Sequence, residues 1–170
     1  MRFFVVSVII ILNFIIQSTL FSYIEIFGIN PNTAIIIIVC FAMLRFEIEG
    51  ALIGFFAGLI QDIFFGNVIG LNALLYTVIG YVCGKPFKDL YAENYILPLV
   101  LVGGSSLFFN FSYYVLNFLF RARVDIVHYF TTIIMPELLY TLIITMPIFI
   151  IIYRIDLSLE TRERKNKRYT

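Results

Sequence analysis

The amino-acid sequence predicts an all-α integral membrane protein, a bundle of six transmembrane helices, and three observations carry that prediction. Apolar runs of helix length recur along the whole chain. Hydrophobic residues fill 61% of the 170 positions and charged residues only 14%, with a mean hydropathy of +0.97. Soluble domains run at about 45–50% apolar and about 25% charged. The apolarity is continuous within each run and does not alternate, which argues against barrel strands.

A spanning helix needs about 20 mostly apolar residues to cross about 30 Å of hydrocarbon. The first run, 3–21, follows Met1-Arg2 and shows no small-x-small cleavage site, so it is expected to be an uncleaved span and not a signal peptide. The second, 31–44, opens on Pro31, whose fixed φ suits a helix start. The third is 50–65. The fourth, 71–84, is closed by the stop signal Gly84-Lys85-Pro86. The fifth is 96–120 and the sixth 128–153. Fourteen residues reach only about 21 Å at about 1.5 Å each. The short second, third and fourth spans are therefore expected inside a protein-packed bundle or a locally thinned bilayer. Residues 1–154 then make one six-span domain and 155–170 a basic tail, a helix end running into disorder. The connection 22–30 is short and apolar and is expected at the membrane interface, whereas 85–95 is polar and exposed.

Orientation follows from the basic residues. With the N-terminus inside, the inner segments hold Arg2, Arg45, Lys85, Lys88, Arg154, Arg162, Arg164, Lys165, Lys167 and Arg168, ten of the 12 basic residues, and the outer segments hold only Arg121 and Arg123. This bias predicts a multi-pass protein with both termini cytoplasmic. The basic tail also suits contact with anionic lipid. With a net charge of +1 and no folded basic face, nucleic acid is not an expected partner.

Catalytic chemistry is sparse in this chain. It has no Ser/His/Asp set, no His-Glu-x-x-His, no Cys/His cluster and no phosphate-binding glycine loop. Cys40 and Cys83 lie inside apolar runs without Cys-x-x-Cys spacing and read as small packing residues. The one histidine, His128, sits at a loop–helix junction and reads as an interfacial polar residue. No catalytic residue, metal or cofactor is expected.

The sharpest pattern lies in the third span. Gly50, Gly54, Gly58, Asp62 and Gly66 recur every fourth residue and share one helix face. Glycine at this spacing lets helix backbones approach closely in lipid. The stripe is a helix-packing seam, either within the bundle or to a partner protein. Asp62 must face protein or water, since a carboxylate in hydrocarbon costs about 2.5–3.5 kcal/mol. Its uses range from a proton or ion site to a polar anchor that orders the turn 65–67. Glu137, after Met135-Pro136, is the other intramembrane acid, and a place in the first helical turn would be favoured by the helix dipole. Asp62 and Glu137 fall on the same outer side. Gly103-Gly104-Ser105-Ser106, followed by Asn110, mark a close crossing or a break in the fifth span, and Pro147 a kink in the sixth.

Taken together these residues resemble a known family. The series runs through Gly28-Ile29-Asn30-Pro31-Asn32 and then Gly50-Ala51-Leu52-Ile53-Gly54-Phe55-Phe56-Ala57-Gly58-Leu59-Ile60-Gln61-Asp62. Gly66, Gly70-Leu71-Asn72-Ala73-Leu74, Gly80-Tyr81 and Gly84 complete it. It is similar to MreD, the rod shape-determining membrane protein of bacteria. Pro31, Gly70, Asn72 and Gly84 belong to the matching motifs. The family often has an acid after the proline, where this chain has Asn32.

The resemblance implies a non-enzymatic scaffold of the cell-elongation machinery in the bacterial plasma membrane. The partners it implies are an MreC-like single-span protein, a RodA-type glycosyltransferase, a class B penicillin-binding protein and the MreB cytoskeleton. It also implies a fold similar to the six-helix substrate-binding subunits of energy-coupling-factor transporters. A substrate-binding subunit for a vitamin-like molecule is accordingly the alternative function.

Overall fold

The computed structural model describes residues 2–19, 30–66, 68–84, 96–121 and 129–166. Among them the chain is all-helical and forms six α-helices: α1 (Arg2–Thr19), α2 (Thr33–Leu44), α3 (Glu47–Phe65), α4 (Leu71–Gly84), α5 (Ile96–Arg121) and α6 (Met135–Asn166). One π-helical turn, Phe130–Ile134, leads into α6. Three segments are long and apolar enough to cross a membrane, namely Glu47–Phe65, Ile96–Leu116 and Phe130–Leu159, while α2 and α4 are shorter apolar helices.

The shortest helix is the centre of the bundle. Every residue of α2 from Thr33 to Leu44 is buried, as expected of a helix that is apolar on all sides. Helices α3, α4, α5 and α6 all pack against it, and α1 lies against α2 and α3. The outward faces are apolar too. Ile69 is 75% exposed, Ile143 73% and Phe64 66%. Such a surface suits hydrocarbon, in which apolar side chains have no drive to hide.

Two of the boundaries that differ from the sequence expectation have a chemical cause. Helix α3 starts at Glu47 and not at Gly50, because Glu47 and Glu49 occupy its first turn, where the helix dipole favours acids. Helix α6 continues past Arg154 to Asn166. Part of the reason is Asp156, which is buried and forms an ion pair with Arg45 at the end of α2. At the opposite end of the same two helices, the Asn32 N–H donates to Thr141 Oγ1 at 3.2 Å. Helices α2 and α6 therefore run parallel and are tied at both ends. Helix α5 is unbroken through Gly103 and Gly104, and Pro147 lies within α6.

Candidate functional site

The glycine stripe of α3 lies against α4 of the same chain. A Cβ on Gly54 would collide with the Tyr76 carbonyl, and one on Gly58 with the Ala73 backbone. One on Gly50 would sit 2.6 Å from Gly80 O, and one on Gly84 would sit 2.6 Å from Glu47 Cα. Real Cβ contacts are never so short, so the two backbones touch along an antiparallel seam from Glu47/Gly84 to Gly58/Ala73. This contact places the stripe within the chain's own bundle. Gly66 is not part of the seam. It ends α3, where its N–H donates to Asp62 O at 3.0 Å.

Asp62 closes the seam at its far end. It sits in the last turn of α3, where an acid gains nothing from its own helix dipole. Its carboxylate is 1% exposed and accepts three backbone N–H groups around the start of α4: Gly70 at 2.9 Å, Ala73 at 3.0 Å and Asn72 at 3.1 Å. A helix leaves its first N–H groups without internal partners, and here the preceding helix supplies the acceptor. Gly70 turns the chain toward it at φ +98°, a left-handed conformation that favours glycine. The carboxylate thus serves the start of α4.

Next to this cap lies a second polar junction. Asn32 caps α2, its Oδ1 accepting from Ile35 N at 3.2 Å, and the same oxygen accepts from the hydroxyl of Tyr76 at 3.1 Å. Tyr76 is fully buried. Its ring stacks on Phe109 of α5 with centroids 5.0 Å apart. One side chain of α4 thereby meets groups from the start of α2 and from α5.

The family model for rod shape-determining protein MreD matches residues 1–155. This chain belongs to the MreD family. No curated protein and no solved structure matches it, so the likeness to energy-coupling-factor subunits has no matching structure behind it.

Of the residues that carry the MreD resemblance, Pro31, Gly70 and Asn72 lie at this polar end. Pro31 is fully buried, and its carbonyl accepts from Thr33 N at 3.0 Å. Gly70 and Asn72 donate to Asp62, and Gly84 lies at the other end of the seam. Where the MreD family often has an acid after the proline, Asn32 caps α2 through an uncharged amide.

Glu137 is the second acid at this end. It is only partly buried. It lies in the first turn of α6, as expected, with the π-helical turn leading into it. Sequence reasoning missed Tyr76, Thr141 and the Arg45–Asp156 pair. The last left a signal, an acid and a base at matching ends of two parallel spans. Cys40 and Cys83 are buried free thiols, and Cys83 Sγ lies 3.3 Å from Ser105 Oγ. Among the described residues no group of three or more His, Cys, Asp and Glu side chains could hold a metal. His128, Asn67 and the connections 20–29 and 85–95 lie outside the described residues.

Proposed function

We propose that this chain is a non-enzymatic membrane scaffold of the bacterial cell-elongation complex, with six spans and both termini cytoplasmic. In this reading it holds an MreC-like single-span protein beside a RodA-type glycosyltransferase and a class B penicillin-binding protein, in register with the MreB cytoskeleton. The observation that carries the reading is the MreD family match across residues 1–155. Its role in rod shape determination is the family's. The architecture supports the finer reading in one respect: the interior is closed by helix-to-helix contacts, and the apolar outer faces remain for neighbours in the bilayer. Helices associate there by van der Waals packing and interhelical hydrogen bonds. The glycine stripe contributes by holding α3 on α4.

Affinity purification of the full chain from native membranes, with partners identified by mass spectrometry, tests this. Cell-wall synthesis proteins and an MreC-like protein should be enriched, and depletion should turn rod cells round. Enrichment of a paired ATPase module would overturn the scaffold in favour of a transport subunit. Reporter fusions at each terminus should both report the cytoplasm.

A further inference from the structure

Between the last turns of α1 and α3 the bundle opens into a cavity of about 220 Å³. Among the described residues six line it: Phe14, Gln17 and Ser18 of α1, Asn30 just before α2, and Gln61 and Phe65 of α3. It lies at the end of the bundle where Asp62, the neighbour of Gln61, caps α4. Aromatic packing holds the two walls together. The Phe14 ring lies 4.9 Å from that of Phe64 and 5.5 Å from that of Phe65. Other openings in the bundle have a different character. Val78, Val82, Val100 and Phe108 are typical of the one between α4 and α5, and Phe55, Leu59 and Leu74 of the one over α3 and α4. Such walls suit hydrocarbon. In the cavity beside α1, four of the six lining side chains are polar.

Three carboxamides and a hydroxyl set the chemistry of a ligand here. Each of these groups both donates and accepts hydrogen bonds, so the matching group does both as well. Gln61 Oε1 is buried without a hydrogen-bond partner, an acceptor that a donor on the ligand would satisfy. None of the six lining side chains is charged, and an ion enclosed by them would find no counter-charge among them. Phe14 and Phe65 add apolar ring faces. The volume lies below the about 300–1,000 Å³ of pockets for drug-sized ligands, which suits a single ring. A sugar ring unites these properties: hydroxyls around its edge, C–H groups on its faces and no charge. The mouth is bordered by Phe65, 61% exposed, and Phe64, 66% exposed, rings that face hydrocarbon. We propose that this cavity binds one uncharged sugar ring, carried as the headgroup of a glycolipid whose acyl chains lie along Phe64 and Phe65, with Gln17 and Gln61 hydrogen-bonding its hydroxyls. The site is independent of the scaffold reading and would exist whether or not the protein assembles with cell-wall enzymes.

The full chain would be reconstituted in nanodiscs holding equal amounts of monoglucosyldiacylglycerol, diacylglycerol and phosphatidylcholine. Native mass spectrometry then counts the lipids that stay on the protein after transfer to detergent. The glycolipid should be retained at least about tenfold over either other lipid, the worth of two hydrogen bonds. Gln61→Leu and Gln17→Leu should each lower that preference about fivefold, the worth of one, while Ser158→Ala at the opposite end should leave it unchanged. Equal retention of the three lipids, a preference for phosphatidylcholine, or a glycolipid preference unaltered in both leucine variants would each overturn the proposal. Should Gln61→Leu fail to fold beside the Asp62 cap, Gln17→Leu decides: a weaker preference supports the site, and an unchanged one overturns it. Excess free glucose separates the two sources of the ring. Loss of the retained glycolipid shows that the sugar alone is recognised, and its persistence shows that the ring is recognised together with its lipid.

Discussion

Two stretches of small residues in this chain look alike in sequence and behave differently in the structure. In α3, Gly50, Gly54 and Gly58 press against the backbone of α4 so closely that no Cβ fits. In α5, a Cβ on Gly103 would make an ordinary 3.5 Å contact with Leu142, and one on Gly104 would meet nothing within 4 Å. The first stretch is a seam and the second is not. The difference teaches that glycine marks a close crossing only when its face is repeated at helical spacing and answered by small residues opposite. Gly80 and Ala73 of α4 answer the α3 stripe. The pair in α5 is adjacent in sequence, so its two members point in different directions.

Substitutions can break or sharpen this contrast. The largest effect is expected from Gly54→Leu, which drives a side chain into the Tyr76 carbonyl. Overpacking alone costs about 1–3 kcal/mol, and the loss of the whole α3–α4 seam should leave no folded population in detergent, read as aggregation on size exclusion. Next comes Asp62→Ala, which removes the acceptor for three backbone N–H groups. About 3 kcal/mol or more should be lost, with hydrogen exchange accelerated first at Asn72 and Ala73. Tyr76→Phe keeps the stack on Phe109 but loses the bond to Asn32, so about 1 kcal/mol is expected by equilibrium unfolding. Smallest is Gly104→Ala. With open space at the site and a better helix former in place, it should be neutral or raise stability by about 0.5–1 kcal/mol. A Gly104→Ala loss as large as that of Gly54→Ala would erase the distinction between the two regions.

Much of the fold was legible because helices in lipid are local objects. Each satisfies its own backbone groups, so an apolar run between polar breaks is nearly sufficient to define one. The runs 31–44 and 71–84 correspond closely to α2 and α4. The ends were less legible. Glu47 and Glu49 read as loop until the helix dipole is weighed, and α6 outlasts its apolar stretch because Asp156 is held by Arg45. The polar end was half legible. The periodicity singled out Asp62, but the N–H groups it serves lie eight to eleven residues onward. Asn32 looked like a departure from the family motif, and the structure makes it the cap of α2.

By itself the sequence determined that this is an apolar helical chain, where its helices run, which face of α3 is special, and that it belongs to the MreD family. Only the tertiary structure decided what that face meets, that the shortest helix is the centre, and which groups gather around Tyr76. The physical reason is separation along the chain. Helix periodicity is written over a few residues, whereas Asn32 and Thr141 are 109 positions apart and Arg45 and Asp156 are 111 apart. Nothing local distinguishes an asparagine or an arginine that will find such a partner from one that will face water.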